Sequence, residues 1–370
     1  MRKKQVAVID VGSSKITAIT GERGINKTFL VKGRFEYDYD GFAEKTFFDV
    51  LRLADALRSA INDVQSVCGT KIDVVYVGVP GEFTNVIVKE SQVSFPDKRK
   101  IKEDDVDALF DSAFVVENND ISVINRSAIV YELDDFRRLA DPVGYSSEIL
   151  KGKLSFILCN NYFIETVMPV LKSAGVDKVE FVSTALAEAL YLIEPEVRDR
   201  IAIILDVGYI STNFTIIQGD GLLYQKSFPY GGGFITASLT EHFDVDFGIA
   251  EKLKRKVNLS SFSPSGAYDL IDLDNGKYFS SEEAKGIILR SLDILCENIS
   301  DALENSKYAV PDYVPIMLTG GGIAYLRGAK ECVSNRLGMD VRVLSPNVPL
   351  MNKPTESAIL SLMDLALEQK

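Results

Sequence analysis

The sequence holds few of the residues from which several common kinds of catalytic site are built. Its 370 residues include one histidine, His242, and no tryptophan. A histidine-based metal site or a Ser-His-Asp triad is therefore nearly excluded, because a lone histidine is usually structural. The four cysteines lie far apart, without C-x-x-C or other metal-ligand spacing. We expect Cys68, Cys159, Cys296 and Cys332 to be reduced and mostly buried, as in a cytosolic protein.

Long uncharged apolar runs and an excess of basic residues are also missing. No apolar stretch approaches the roughly 18–20 residues of a membrane-spanning helix, so none is predicted. Asp10 interrupts the first apolar run, so we expect no signal peptide behind the basic start of the chain. Lys and Arg number 41 against 53 Asp and Glu, for a net charge of −12. This balance argues against general nucleic-acid binding and against adhesion to anionic lipid by charge alone.

The chain is long enough for two to four compact units, and its 46% apolar residues supply their cores. Strand and helix patterns alternate at the start of the chain, change to a mixed pattern over residues 84–160, and then alternate again. These patterns predict an α/β protein with a small α+β insert.

Several local patterns predict individual elements. Residues 46–67 predict a helix whose apolar face consists of Val50, Leu53, Leu57, Ile61 and Val64. The run PDKRK at residues 96–100 is interpreted as a loop. Ser280 and Glu283 have capping-box spacing and predict the start of a helix that continues to about Asn305.

One phrase occurs twice. AVIDVGSS at residues 7–14 is nearly repeated by IILDVGYIST at residues 203–212, and each is an apolar strand that ends in Asp-Val-Gly. Backbone N–H groups of a tight hairpin point into one concavity and bind phosphate oxygens, and small residues allow close approach. Asp10 and Asp206 at the strand ends suit Mg²⁺ held through waters, while Lys15 suits a phosphate. Two such hairpins facing each other predict a polyphosphate site.

A third glycine-rich element follows near the end of the chain. Gly320, Gly321 and Gly322 leave a strand end and lead toward a helix predicted to start near Tyr325, which suits contact with a base or phosphate. Two other interpretations exist. A single Asp-x-Gly is often only a turn, and paired Asp-x-Gly phrases also occur in aspartic proteases. The duplication argues against the first, and the long helices between the motifs argue against the nearly all-β proteases.

The ordered set of motifs resembles the actin/Hsp70/sugar-kinase ATPase superfamily and, within it, the bacterial cell-division actin homologue FtsA. The carriers are, in order, Asp-Val-Gly-Ser-Ser-Lys, Asp-Val-Gly, Tyr-Gly-Gly-Gly, Ala-Glu-Lys-Leu-Lys and Leu-Thr-Gly-Gly-Gly. Within residues 84–160, KEDDVDALFDSA and VINRSAIVYELDD are similar to the extra subdomain of that family. The resemblance covers essentially the whole chain.

The resemblance implies two actin-like (ribonuclease H-like) α/β domains around a nucleotide cleft, with the insert in the first domain. The implied parts are residues 1–83 with 161–200 and 350–370 (domain 1A), residues 84–160 (insert 1C), residues 201–239 with 307–349 (domain 2A), and residues 240–306 (subdomain 2B).

The resemblance also implies ATP or ADP with Mg²⁺ as ligands and a role for each motif residue. Asp10 and Asp206 would hold Mg²⁺ through water and would be the catalytic carboxylates if hydrolysis occurs. The remaining binding residues would be Gly12, Ser13, Ser14 and Lys15 in the first hairpin, Gly208 in the second, Gly231, Gly232 and Gly233 on the phosphate side, Glu251 and Lys254 at the ribose and base, and Gly320, Gly321 and Gly322 over the adenosine.

The second hairpin departs from the family pattern. Gly208 is followed by Tyr209 and Ile210 where the family usually has glycines, and Asn213 stands where it usually has a carboxylate. A β-branched residue resists positive φ, and larger side chains hold a phosphate further from the backbone. We therefore expect weak phosphate binding and at most weak ATP hydrolysis.

The function implied by the resemblance is that of a cytoplasmic adaptor at the division site. It would bind nucleotide, self-associate into filaments and recruit the tubulin homologue FtsZ and other division proteins, with FtsZ bound by residues 240–306. The last helical pattern is acidic and lacks an aromatic anchor, so we expect a core helix there. Contact with the inner face of the membrane is then expected through a partner or a C-terminal helix absent from this chain. A pilus- or secretion-assembly actin-like ATPase and a small-molecule kinase of the same fold remain alternatives.

Overall fold

The computed structural model describes residues 5–25, 28–69, 72, 74–114, 116, 118–260, 270–273 and 276–368. Its strands are β1 (Gln5–Val11), β2 (Lys15–Arg23), β3 (Phe29–Asp38), β4 (Phe42–Ala43), β5 (Thr46–Phe47), β6 (Val74–Val79), β7 (Thr84–Lys100), β8 (Ile121–Leu133), β9 (Arg138–Leu139), β10 (Ser146–Asn160), β11 (Lys178–Ser183), β12 (Ala202–Val207), β13 (Thr212–Gln218), β14 (Gly221–Phe228), β15 (Leu270–Asp272), β16 (Tyr278–Ser280), β17 (Ile316–Thr319) and β18 (Val341–Val343). Its helices are α1 (Val50–Cys68), α2 (Glu103–Ala113), α3 (Asn161–Ser173), α4 (Thr184–Leu192), α5 (Pro195–Arg198), α6 (Gly232–Phe243), α7 (Phe247–Lys256), α8 (Ser281–Asn305), α9 (Ala329–Leu337) and α10 (Ser357–Glu368).

Two five-stranded sheets share one strand order. The first runs β3-β2-β1-β6-β11 and the second β14-β13-β12-β17-β18. In each sheet three antiparallel strands are followed by two parallel ones. The strands that carry the repeated Asp-Val-Gly, β1 and β12, hold the central position in both. The repeated phrase therefore marks a structural duplication, and the predicted α/β class is confirmed.

Local sequence accounts for the helices that flank these sheets. Asp49 caps α1 by accepting hydrogen bonds from the Leu51 and Arg52 amides, and Leu53 and Leu57 are buried as predicted. The prediction for Val50 is wrong, because this residue is 42% exposed in the first turn of the helix. Ser280 accepts from the Glu283 amide at the start of α8, and α8 ends at Asn305, so that prediction is confirmed.

Residues within 84–160 form a separate antiparallel sheet of order β7-β10-β8-β9, with α2 packed on it through Leu109 and Phe110. The loop predicted for residues 96–100 is wrong, since β7 continues to Lys100. Pro96 is accommodated because β7 is an edge strand and its pairing with β10 shifts register beside it. An edge or bulged position does not need the amide that proline lacks.

The last helix, α10, packs on the first sheet as the predicted core helix. Leu360, Leu362 and Met363 are fully buried against the sheet core, and Asp364 accepts a hydrogen bond from Arg23 at 2.6 Å. The Thr319 hydroxyl lies 2.7 Å from the Ser357 hydroxyl, which ties the end of β17 to the start of α10. No helix in the described ranges is long and apolar enough to cross a membrane.

The cysteines were expected to be reduced and mostly buried, and the second expectation is met by two of them. All four cysteines are free; Cys159 and Cys296 are buried, whereas Cys68 and Cys332 are half-buried. Burial raises the pKa of Cys159 to about 12, so this thiol stays protonated and unreactive.

Candidate functional site: a cleft between the duplicated hairpins

A cavity of about 320 Å³ lies where the carboxyl ends of β1 and β12 face each other. Both hairpin loops, the first turns of α4 and the start of α10 line it. The predicted site residues that line the cavity are Asp10, Gly12, Ser13, Ser14, Lys15, Asp206, Gly208, Gly320 and Gly321. Those outside its lining are Gly231, Gly232, Gly233, Glu251, Lys254 and Gly322.

The two hairpins are closed in the same way. The Gly12 amide donates to the Lys15 carbonyl at 3.0 Å, and the Gly208 amide donates to the Ser211 carbonyl at 2.9 Å. A Cβ at Gly208 would lie 2.8 Å from that carbonyl oxygen, so the turn needs glycine. The two loops, residues 12–15 and 208–211, have equal length. The departure of the second hairpin is therefore confined to its side chains.

Three carboxyl groups share the cavity without an ion-pair partner in the described part of the chain. They belong to Asp10, Asp206 and Glu188. Burial raises the pKa of Asp10 to about 7, and the charge of Asp206 adds to this. Burial also raises the pKa of Asp206 to about 6 and holds that of Glu188 well above its ordinary value. Each group is therefore poised to accept a proton or a cation.

Glu188 was not among the predicted site residues. It is 2% exposed on α4, and its Oε1 has no hydrogen-bond partner. The available sequence signal was a single carboxylate inside the apolar stretch TALAEALYL of residues 184–192. Burying an unpaired glutamate in such a helix costs free energy. Its presence therefore indicates a functional role for Glu188.

Lys15, the predicted phosphate ligand, is engaged elsewhere. Its ammonium group forms an ion pair with Glu36 on β3, although it still lowers the pKa of Asp10 against the effects of burial and Asp206. A phosphate in the cleft would compete with Glu36 for this ammonium group.

The two hairpins also touch each other directly. The Ile210 amide donates to the Ser13 hydroxyl at 3.1 Å. The Ile210 side chain packs at Gly41, where an added Cβ would lie 3.0 Å from Cδ1 of the isoleucine. The first hairpin is held in turn by Tyr39, whose hydroxyl donates to the Gly12 carbonyl at 2.7 Å. The loop of the first hairpin is thus bonded directly to the loop of the second.

The triple glycine at the start of α6 packs against the back of the second hairpin. The Gly232 amide donates to the Gly208 carbonyl at 2.9 Å, and the Gly233 amide donates to the Tyr209 carbonyl at 2.7 Å. A Cβ at Gly231 would lie 2.6 Å from the Gly208 oxygen. These glycines therefore allow close packing of the backbone, and their hairpin partners already occupy the Gly232 and Gly233 amides.

The second triple glycine packs beside Asp206. Gly320 has a φ of +87°, and a Cβ there would lie 2.2 Å from Asp206 Oδ1. The Gly322 amide donates to the Val207 carbonyl at 2.7 Å. The helix predicted to start near Tyr325 starts instead at Ala329, because Gly328 at a φ of +85° ends the intervening turn. The helix N-terminus is thus separated from the glycines.

Glu251 and Lys254 on α7 form a hydrogen-bonded pair in which Lys254 is buried and Glu251 is half-buried. Lys254 is 1% exposed; its ammonium group donates to the Gly232 carbonyl at 2.8 Å and to the Thr236 hydroxyl at 2.7 Å, and pairs with Glu251 at 2.7 Å. Burial favours the neutral form of Glu251, but hydrogen bonds from Lys254 and Thr236 outweigh it and hold the pKa of that carboxyl below its ordinary value. All three donors of Lys254 are therefore used within the protein.

Comparison with solved structures identifies the fold of the chain. A PilM–PilN type IV pilus biogenesis complex matches with a TM-score of 0.66 and 16% identity, covering 99% of this chain and 100% of that one. MreB5 of Spiroplasma citri, bound to ADP, matches with a TM-score of 0.56 and 12% identity over 98% of this chain and 95% of that one. The protein has the actin-like fold.

Sequence comparison shows which proteins of this fold the chain resembles. The sequence model of the family described as "Cell division protein FtsA" matches residues 203–361. FtsA of Neisseria meningitidis serogroup B is 19% identical over 351 residues, covering 93% of this chain and 84% of that protein. FtsA of Streptococcus pneumoniae serotype 2 is 22% identical over 365 residues, covering 97% and 79%. The resemblance to FtsA is confirmed.

Proposed function

We propose that the protein is an FtsA-like actin homologue that binds a nucleotide in the cleft and acts in bacterial cell division. The relatives described as FtsA, which cover nearly the whole chain, support the division role. The observation that carries nucleotide binding is the pair of equivalent hairpins with Asp10 and Asp206 facing one cavity. The MreB5 structure of the same fold is described with bound ADP, which is consistent with this use of the cleft.

The residues at the cleft fit a magnesium ion. Mg²⁺ prefers oxygen ligands and keeps much of its hydration, and the cavity presents the half-buried carboxylates of Asp10 and Asp206. The Thr184 hydroxyl and Glu188 Oε1 also line it without a partner. A bound Mg²⁺ would neutralise these carboxylates together with phosphate charge. The backbone and hydroxyls of Gly12, Ser13 and Ser14 would then orient the phosphates.

The same geometry supports slow turnover at most. Phosphoryl transfer depends on positioning and charge, and the second hairpin offers a neutral amide at Asn213. The Ser13 hydroxyl, a predicted phosphate ligand, already accepts a hydrogen bond from the Ile210 amide. We infer that the protein works as a nucleotide-dependent adaptor rather than as a rapid ATPase.

The adaptor role extends to partners and location. By likeness to the FtsA relatives, we propose that the chain recruits FtsZ and other division proteins, self-associates into filaments, and works at the inner face of the membrane at the division site. We propose the division of the chain into domains 1A, 1C, 2A and 2B given above, and we place the FtsZ surface in subdomain 2B, residues 240–306.

Nucleotide binding is tested by calorimetric titration of the full chain with ATP and with ADP, with and without Mg²⁺. Saturable binding that Asp10→Asn weakens supports the proposal, and an exposed control, Asp55→Asn on α1, should leave the affinity unchanged. Absence of binding to either nucleotide would contradict it. A phosphate-release assay on the same samples should show slow or no turnover.

A second candidate is a pilus- or secretion-assembly function, favoured by the PilM structure that covers nearly all of both chains. Pull-down of the protein with the C-terminal tail of FtsZ, in parallel with a pilus-assembly peptide, separates the two. If the protein binds only the pilus-assembly peptide, the pilus-assembly function is supported and the division role is rejected.

A further inference from the structure

We propose that Tyr39 is a positioning residue for the first phosphate hairpin, because its hydroxyl holds the loop of residues 12–15 with the backbone amides toward the cleft. This role rests on the proposed nucleotide site, which supplies the phosphate. Tyr39 follows β3 and does not line the cavity, so it acts from behind the loop. A side chain outside the cleft would thus set the phosphate affinity of the first hairpin.

Three consecutive carbonyl groups of the loop lie against the chain segment that starts at Tyr39. The Tyr39 hydroxyl donates to the Gly12 carbonyl at 2.7 Å, and the Tyr39 amide donates to the Ser14 carbonyl at 3.4 Å. A Cβ added at Gly41 would overlap the Ser13 carbonyl oxygen, so the backbone of the segment passes directly behind this group. The three carbonyls therefore point to the same side of the loop.

The direction of these carbonyls decides where the loop amides point. In a trans peptide unit, the N–H of one residue points opposite to the C=O of the residue before it. With the carbonyls of residues 12–14 on the Tyr39 side, the amides of residues 13–15 point to the other side. Because Tyr39 lies outside the cavity that this loop lines, that other side is the cleft. Amides aimed into one concavity bind phosphate oxygens.

The second hairpin is supported at the same place by a different group. The carbonyl of Gly208, which is equivalent to Gly12, accepts from the Gly232 amide at 2.9 Å. A backbone amide thus does for the second hairpin what the Tyr39 hydroxyl does for the first. Support of the same carbonyl from behind in both loops indicates a requirement of the site. Since only the first support is a side chain, one substitution can remove it.

The Tyr39 hydroxyl is a permanent donor in a buried position. Burial raises the pKa of Tyr39 well above its ordinary value, and the charges of Asp10 and Glu82 add to this, so the hydroxyl stays protonated. The side chain is 6% exposed, and its ring packs against Phe47 with centroids 6.5 Å apart. Phenylalanine would fill the same space, so packing does not require the hydroxyl, whereas the bond to Gly12 does.

The segment that carries Tyr39 is itself fixed at its next turn. Glu44 and Lys45, between β4 and β5, both have positive φ, at 51° and 61°. Non-glycine residues keep such a backbone only where neighbouring groups hold it, and they cluster at functional sites. Here the Lys45 amide donates to the buried Glu82 carboxylate at 3.1 Å. Tyr39 therefore extends from a segment that is fixed independently of the hairpin.

The test compares Tyr39→Phe with the wild-type full chain by calorimetric titration with ADP in Mg²⁺ and with adenosine. We expect a Kd for ADP at least about fivefold higher in Tyr39→Phe, and a Kd for adenosine within about twofold of the wild type, because only ADP carries phosphate. Tyr131→Phe is the matched control: Tyr131 is also 6% exposed but lies in the insert sheet, so this variant should bind ADP like the wild type.

A second measurement does not depend on any ligand. The Gly12 amide closes the hairpin on the Lys15 carbonyl, and its hydrogen exchange should be at least about fivefold faster in Tyr39→Phe. Exchange in β13 should stay as in the wild type. Thermal unfolding checks that both variants are folded, and loss of folding in Tyr39→Phe alone would show a general structural role and reject the inference.

Three other outcomes would overturn the role of Tyr39: equal ADP affinity in Tyr39→Phe and wild type, equal losses for ADP and adenosine, or unchanged exchange of the Gly12 amide. Failure of the wild type to bind ADP would instead reject the nucleotide-binding proposal. The exchange rate of the Gly12 amide would still decide whether Tyr39 holds the hairpin.

Discussion

Individual buried charges decide much of the behaviour of the cleft. Asp10 and Asp206 lie at equivalent strand ends, with Thr17 and Gly78 as strand neighbours of the first, and Asn213 and Thr319 as neighbours of the second. In both cases burial raises the pKa above the ordinary value of a carboxyl group. The folded state therefore binds protons more tightly than the unfolded chain.

The first prediction concerns pH in the presence of a chelator. A raised folded-state pKa contributes stability that is complete below the unfolded pKa and is lost as pH rises through the folded pKa. With pKa values of about 7 for Asp10 and about 6 for Asp206, lowering the pH from about 8 to about 5 should raise the unfolding temperature. Scanning calorimetry measures this. Asp206→Asn should flatten the dependence, and an unchanged slope in that variant would reject the assignment.

A second residue-scale prediction concerns Lys254. Replacing it with methionine leaves the Gly232 carbonyl, the Thr236 hydroxyl and Glu251 without their buried cationic partner. We expect a loss of about 3 kcal/mol in the free energy of unfolding, measured in urea. Arg255→Met is the control: Arg255 pairs with the same Glu251 but its side chain is 58% exposed, so its loss should cost below about 1 kcal/mol. Equal losses would contradict the role given to Lys254.

At the scale of elements, the second hairpin keeps the backbone closure of the first but has different side chains at the centre of its loop. Tyr209 and Ile210 occupy positions equivalent to Ser13 and Ser14, because both loops have equal length. Neither Tyr209 nor Ile210 has a positive φ, so the loop avoids strain at these residues. The larger side chains instead restrict the access of a phosphate to the backbone amides of the loop. One of these amides, that of Ile210, already donates to the Ser13 hydroxyl.

The prediction at this scale is that Tyr209→Gly combined with Ile210→Gly tightens ADP binding. Removing both side chains opens the loop to a phosphate and frees the Ile210 position from its packing on Gly41. We expect at least a fivefold lower Kd by calorimetry, equal to about 1 kcal/mol. The matched control places two glycines at adjacent exposed positions of another loop, Phe136→Gly with Arg137→Gly. Weaker ADP binding in the hairpin variant would show that the side chains of Tyr209 and Ile210 do not hinder the phosphate.

A buried apolar cluster and a few hydrogen bonds join the two duplicated halves of the molecule. Ala185 and Leu186 of α4 pack with Ile204 and Ile217 of the second sheet, and Thr319 bonds to Ser357 of α10. A ligand that bridges the hairpins would add to these contacts.

The corresponding prediction uses amide hydrogen exchange. ATP or ADP with Mg²⁺ should slow exchange in residues 12–15 and 208–211, while exchange in β8 and β10 of the insert should stay unchanged. At a ligand concentration of about 100 times Kd, the added stability should be about 2.7 kcal/mol. Protection of the insert instead of the hairpins would place the ligand outside the cleft.

The sequence by itself determined the local elements and the duplication. Apolar spacing and caps located α1 and α8, since both depend on residues three or four apart, and the repeated Asp-Val-Gly marked the two equivalent hairpins. The predicted loop at residues 96–100 failed because a proline is tolerated in a strand only by virtue of its edge position, which neighbours in the chain do not reveal.

Tertiary structure alone decided which polar groups meet. Glu188 reaches the cleft, Lys254 is enclosed by Gly232, Thr236 and Glu251, and Ser13 bonds to Ile210 from the other half of the chain. Each of these facts depends on how two sheets and the helices between them pack. Side-chain type and spacing follow from neighbouring residues, whereas burial and long-range partners follow from the packing of segments almost 200 residues apart.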